Sequence, residues 1–104
     1  MGTIPITLMT APARYTCNPD LVIQELDNET FLLNPATGDI YGLDRVSTRV
    51  WTLIGELGER ELVRRQMLID FEVDPAELDR DLDNYFAQLI SLELISVRDE
   101  GIAP

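Results

Sequence analysis

The 104-residue chain is long enough for one domain with one modest hydrophobic core. Its 19 acidic residues face only eight basic ones, all arginine, and the formal net charge of −11 disfavours nucleic acids and anionic membrane surfaces as partners. Histidine is absent and Cys17 is the single cysteine, which removes the commonest general base, the commonest metal ligand and any intrachain disulfide.

The N-terminus lacks the basic segment and long apolar run of a signal peptide. No stretch approaches the roughly 18 apolar residues of a membrane span. The sequence therefore predicts a soluble cytoplasmic protein, with no cofactor expected.

Residues 1–19 have the composition of an N-terminal arm. Residues 3–8 alternate weakly in polarity, and Pro12 and Pro19 interrupt the rest of the arm. This segment is either a loose edge strand or flexible. The predicted domain then covers residues 20–97, and residues 98–104 form a polar tail.

Three short apolar runs come after the arm and predict an antiparallel meander. Residues 21–26 and 30–34 are separated by a polar turn, Asp27-Asn28-Glu29, which is the pattern of a β-hairpin. Residues 34–38 form a second turn, in which proline presets φ and glycine accepts a positive φ. Residues 39–43 then form the third strand.

The hydrophobic period changes from strand to helix at Asp44, a plausible N-cap. Apolar residues recur at spacings of three and four from Val46 to Leu57, and either Gly55 or Gly58 ends this first helix. A second helix is predicted over residues 59–70.

The third helix begins with unusual clarity. Asp74 stands at its N-cap, Pro75 at its first position and Glu77 at its third, where each stabilises a helix start. Apolar residues from Leu78 to Leu92 give it a broad apolar face, and residues 94–97 form a short extended piece. Strands followed by helices indicate an α+β domain, with a three-stranded antiparallel sheet, then three helices, arranged like a winged helix-turn-helix.

Two stretches of this sequence resemble the PqqD family and its relatives, the RiPP recognition elements. The first is Phe31-Leu32-Leu33-Asn34-Pro35-Ala36-Thr37-Gly38-Asp39-Ile40-Tyr41-Gly42-Leu43-Asp44, continuing to Val50-Trp51, and the second is Val73-Asp74-Pro75-x-Glu77-Leu78-x-x-Asp81-Leu82. Together the likeness covers roughly residues 20–97. One departure is Glu93, which stands where the family commonly has glycine at the end of its last helix.

The resemblance implies a non-catalytic adaptor that binds the leader segment of a ribosomally made precursor peptide. In the family the leader adds a β-strand alongside the third strand, in a groove against the third helix. The leader is then delivered to a modifying enzyme such as a leader peptidase, a cyclase or a radical-SAM enzyme, as in pyrroloquinoline quinone or split lasso-peptide pathways. The implied peptide-binding residues are Asp39, Ile40, Tyr41, Gly42, Leu43, Leu78, Asp81, Leu82, Tyr85, Gln88 and Leu89.

The residues themselves are compatible with that mode. Residues 39–43 carry no proline or lysine to block strand addition, unless residues 3–8 cover the edge. On a helical projection Tyr85 and Leu92 flank one side of the third helix, and Phe86 and Ile90 flank the other. Acidic residues border both flanks, and they either pair with a basic leader residue or form a solvated face.

Two alternative functions belong to other classes. The helix arrangement also fits a winged-helix DNA-binding regulator, but residues 75–92 hold one basic residue, Arg80, against four acidic ones, so phosphates would repel this helix. A generic protein–protein interaction module is the other alternative. An enzyme is disfavoured because Ser47 and Thr48 have no histidine to activate them.

Overall fold

The computed structural model describes residues 13–27 and 29–98. In chain order its elements are β1 (Arg14–Cys17), β2 (Val22–Leu26), β3 (Glu29–Asn34), β4 (Asp39–Leu43), α1 (Arg45–Leu57), α2 (Arg60–Asp70), α3 (Pro75–Ser91) and β5 (Ile95–Arg98). The predicted strand at residues 3–8 and the tail beyond Arg98 lie outside the described residues. The predicted α+β class, with three strands followed by three helices, is confirmed.

Strands β2, β3 and β4 form the expected antiparallel meander, in the order β2-β3-β4. Asn34 closes the second turn, because its backbone oxygen accepts from the N–H groups of Thr37 and Gly38, and its side chain accepts from Ala36. Gly38 takes φ of +79°, the left-handed conformation that glycine adopts at no steric cost. Local turn chemistry thus sets the β3–β4 register.

The helix boundaries follow their capping residues. The Asp44 side chain accepts from the Ser47 N–H at 2.8 Å, and the Asp74 side chain accepts from the Glu77 N–H at 3.1 Å. Gly58, rather than Gly55, ends α1, with φ of +72° and its N–H donated to the Ile54 carbonyl.

The core lies between the inner face of the sheet and the three helices. Leu32 on the central strand is fully buried, and Ile54, Val63 and Leu82 bring one buried side chain from each helix against the same cluster. Burial of each such side chain contributes about 1.5–3 kcal/mol to stability. Three ion pairs, made by Arg60 and Arg64 with Asp79 and Asp83, also join α2 to α3.

Strand β1 lies within the predicted N-terminal arm, for which the sequence left a loose edge strand and a flexible segment open. It pairs with β5 in a second, two-stranded antiparallel sheet. The Tyr15 N–H donates to the Gly58 carbonyl at 2.7 Å, and the Tyr15 ring packs edge-on against Phe86 with centroids 4.7 Å apart. Residues 14–17 are therefore attached to both α1 and α3.

Glu93 closes α3 in the position where the family commonly has glycine. Its φ is +60°, its N–H donates to the Ile90 carbonyl, and the Leu94 N–H donates to the Leu89 carbonyl. These are the two hydrogen bonds of a Schellman motif, whose left-handed residue is usually glycine. The helix end thus keeps this geometry although the residue differs, at the cost of a strained backbone.

We predict that Glu93→Gly stabilises the domain by about 0.5–1 kcal/mol, because glycine takes the left-handed conformation without a Cβ clash. Urea unfolding followed by circular dichroism measures the change. Glu93→Ala is the matched control and should bring no such gain, since alanine keeps the Cβ. Equal stabilisation by both substitutions would show that strain at this position is not the cause.

Candidate functional site

Strand β4 has an unpaired outer edge. Within the described residues it pairs only with β3, and β1 does not cover it because β1 pairs with β5. Tyr41 and Leu43 point to the core side of the sheet, opposite Leu32 and Thr30, while Ile40 and Gly42 lie on the outer side. The backbone groups of this edge are free to pair with another strand.

An upper cavity of about 420 Å³ lies between β4 and the C-terminal half of α3. The strand contributes Ile40, Tyr41, Gly42 and Leu43, and the Tyr85 flank of α3 contributes the facing wall. The lining from α3 and its end is Tyr85, Gln88, Leu89, Leu92 and Leu94. A strand added to β4 would therefore lie over this cavity.

A lower cavity, also of about 420 Å³, continues from the upper one toward the start of α3. Both cavities share Ser47 and Tyr85 in their walls. The lower cavity is formed by three chain segments, and its lining is Asp44, Val46, Ser47, Val50, Met67, Phe71, Glu72, Val73, Leu78, Asp81, Leu82 and Tyr85. We use "the groove" for these two cavities together with the outer edge of β4.

Tyr85 stands at the junction of the two cavities. Its hydroxyl donates to the Ser47 carbonyl at 3.2 Å, which ties α3 to the first turn of α1. Burial raises the pKa of Tyr85 to about 12, and the nearby Asp44 carboxylate acts in the same direction. Tyr85 is thus a neutral, half-buried ring with its position held by a hydrogen bond.

The structure brings ten of the eleven residues expected from the sequence to the groove. Leu43, Leu78, Leu82 and Leu89 are buried and form its floor as part of the core. Asp39 lines neither cavity: it lies at the turn end of β4, where its carboxylate accepts from the Tyr41 hydroxyl at 3.4 Å. Partial burial and Asp39 both raise the pKa of Tyr41.

Sequence reasoning missed the part of the lower cavity that comes from α1 and from the α2–α3 connection. Val46, Phe71, Glu72 and Val73 are its principal members. One local signal was available. Val73 directly precedes the N-cap residue Asp74, and Leu78 stands four positions after Asp74, which is the pattern of a hydrophobic staple. Such a pair predicts an apolar surface beside the helix start.

Beyond Glu77 in the first turn, the acidic residues of α3 divide into two groups. On the flank facing α2, Asp83 pairs with Arg60 at 2.7 Å, and Asp79 pairs with Arg64 at 2.7 Å. On the groove flank, Asp81 is exposed and makes no ion pair with any described residue. The carboxylates that border Phe86 therefore join α3 to α2, whereas Asp81 lies beside the lower cavity without an arginine partner among the described residues.

Another surface cavity lies away from the groove. It measures about 640 Å³ and lies between the β2–β3 turn and helices α1 and α2. Its walls are mostly charged and hydroxyl side chains, including the Arg49–Asp70 ion pair at 2.8 Å, and no expected site residue lines it. It lies beside β2, the other edge strand of the sheet, but it lacks the buried apolar floor of the groove.

The chemistry available in the described residues is limited. No group of three or more potential metal-ligating side chains is gathered in residues 13–27 and 29–98. Burial raises the pKa of the Cys17 thiol to about 11, so the thiol stays protonated and weakly nucleophilic at neutral pH. Among those same residues, no helix has the length and apolar character needed to cross a membrane.

The family model for coenzyme PQQ synthesis protein D (PqqD) matches residues 29–95, more than half of the chain. The chain belongs to the PqqD family. The resemblance drawn from the sequence is therefore confirmed, and the matched segment runs from β3 into β5, which includes the whole groove.

A solved structure supports the same membership. The chain is similar to TbiB1 in complex with the TbiA(beta) leader peptide, with 32% sequence identity and a TM-score of 0.69. The match covers 86% of this chain and 99% of that chain. No curated protein sequence matches the chain.

We predict that Tyr85 loses its proton only near pH 12 in the folded PqqD-family domain, because burial opposes the phenolate. Absorbance at 295 nm should show a high-pH component that is absent from Tyr85→Phe. The pKa of Tyr85 is higher in the folded protein than in the unfolded chain, so the protonated hydroxyl contributes to the stability of the fold. That contribution is complete below pH 10 and is lost as the pH rises through 12. Circular dichroism at each pH establishes that the folded state is being titrated. If Tyr85→Phe instead removed a component that titrates near pH 10, burial of this hydroxyl would be contradicted.

Proposed function

We propose that the protein is a non-catalytic adaptor that binds the leader segment of a ribosomally synthesised precursor peptide. The observation that carries this proposal is the unpaired edge of β4 beside a cavity walled by α3. Membership of the PqqD family and the similarity to TbiB1, solved with a leader peptide, support the same function.

The peptide would bind as a fourth strand of the sheet. Backbone hydrogen bonds to β4 would supply affinity that depends little on sequence. Side chains that alternate toward the core side, as Tyr41 and Leu43 do, would enter the cavities, and the others would extend the outer face of the sheet. Residues 40–43 on the strand and Tyr85, Gln88 and Leu89 on the helix are the proposed contacts in the upper cavity.

Delivery to a modifying enzyme is the second part of the proposal. A leader held along β4 leaves the core segment of the precursor outside the groove, where a leader peptidase, a cyclase or a radical-SAM enzyme acts on it. The missing histidine and the raised pKa of Cys17 argue that the chemistry belongs to that enzyme. The cytoplasmic location expected from the sequence stays a prediction.

We predict that the protein binds the leader segment of its cognate precursor with a Kd on the order of 10 nM to 10 µM, the range of preformed edge-strand sites. Fluorescence anisotropy with labelled leader and labelled core segments measures both affinities. Binding to the core segment should be far weaker. Equal binding to both segments, or no binding to the leader, would contradict the adaptor function.

We also predict that a proline scan through positions 39–42 separates two kinds of position in β4. Successive residues direct their N–H groups to opposite sides of a strand, so proline removes either a bond to β3 or a bond to the peptide. One alternate pair of variants should therefore keep its fold and lose leader binding, and the other pair should be destabilised.

Circular dichroism and leader titration of all four variants distinguish these outcomes. Amide exchange of the unmodified protein provides a control free of mutation, since a bound leader should protect one alternate set of amides in β4. Four folded variants that all bind the leader normally would place the peptide elsewhere.

A further inference from the structure

The lower cavity combines an apolar floor with an acidic rim. Buried side chains of Val50, Met67, Leu78 and Leu82 form part of its lining. The charged members of the lining are Asp44, Glu72 and Asp81, and no arginine is among them. The cavity therefore presents one sign of charge around a concave apolar surface.

The rim carboxylates Glu72 and Asp81 differ from Asp79 and Asp83 of α3 in having no arginine partner among the described residues. Asp79 and Asp83 are paired with Arg60 and Arg64, whereas Glu72 and Asp81 are exposed and form no ion pair with any described residue. Asp44, at the same rim, accepts from the Ser47 N–H. The acidic residues on the α2 side of α3 are thus neutralised by arginines of the domain. Those on the groove side are available to pair with a cation from a bound peptide.

This arrangement suits one kind of peptide side chain. Carboxylates at the mouth of an apolar cavity concentrate negative potential there, because the low-dielectric wall screens their field less than water does. An arginine or lysine side chain can lay its aliphatic stem along the apolar floor while its cationic head reaches the rim. An acidic peptide side chain would be repelled at the same place.

We propose that the lower cavity selects leader segments in which an arginine or lysine stands beside a bulky apolar residue. The cationic head pairs with Asp81 and Glu72, and the apolar neighbour occupies the floor of the cavity. This inference rests on the proposed peptide-binding function, and it adds a charge requirement to the strand addition at β4.

The test uses a phage-displayed library of random dodecapeptides, selected separately on the unmodified protein and on the double variant Asp81→Asn/Glu72→Gln. Peptides enriched on the unmodified protein should contain arginine and lysine in excess over the library. When resynthesised, they should bind the double variant about three- to tenfold more weakly, the scale of a partly exposed charge-assisted contact. Their affinity should also fall between about 0.1 and 1 M salt, as the screening length shortens from about 10 to 3 Å.

A matched control removes the same amount of charge away from the cavity. Asp20→Asn/Glu56→Gln alters two exposed carboxylates that line neither part of the groove, and it should bind the selected peptides unchanged. Selected peptides without a basic excess, or an equal loss in the control variant, would overturn the charge requirement and leave strand addition intact. Failure to enrich any peptide, or enriched peptides that still bind when proline disrupts the open edge of β4, would refute the proposed function and this inference together.

Discussion

Helix α3 has an apolar face that is wider than one packing partner can cover. The groove forms because one flank of that face is covered by other elements and the other flank is not. The centre of the face, formed by Leu78, Leu82 and Leu89, is buried in the core. Phe86 on one flank is covered by Tyr15 of β1. Tyr85 on the other flank faces the open side of β4, where no described segment covers it. An apolar wall next to an unpaired strand edge is the consequence of covering only one flank.

The position of β1 is what keeps the two flanks different. A strand at residues 14–17 could in principle have extended the meander at either edge, and at β4 it would have occupied the edge to which we propose that a peptide binds. It pairs instead with β5, directly after α3, and its Tyr15 N–H is held by the carbonyl of Gly58. The second sheet therefore covers the Phe86 flank of α3 and leaves the Tyr85 flank, beside the edge of β4, uncovered.

The features that the sequence predicted correctly were those set by local chemistry. Asp44 and Asp74 cap helices within three residues of themselves, and Asn34 and Gly38 close a turn within five. The position of Tyr85 on one flank of α3 also follows from a local property, the helical period, whereas its role in peptide binding stays a prediction. Such signals need no knowledge of distant segments.

The features that the sequence did not predict depend on residues far apart in the chain. The pairing of Arg14 with Arg98 spans almost the whole domain. The turn at residues 18–21 that follows β1 leads to β2 and not to the partner strand β5, so no local hairpin pattern reveals the pairing. The lower cavity likewise forms only when the start of α1, the α2–α3 connection and the first turns of α3 come together. The choice of Gly58 over Gly55 as the end of α1 is of the same kind, since Arg14 packs against Gly58 from the distant β1.

The distribution of charge gives the groove a property that neither the family nor the fold dictates. With a net charge of −11, the domain has too few arginines to neutralise every carboxylate. Arg60 and Arg64 are both committed to Asp79 and Asp83, where they hold α2 against α3. Among the carboxylates that have no arginine partner in the described residues, Glu72 and Asp81 lie where α3 is uncovered, beside the lower cavity. The proposed strand addition at β4 would accept many sequences because it would use backbone atoms, so discrimination between peptides would come from side-chain sites such as this one.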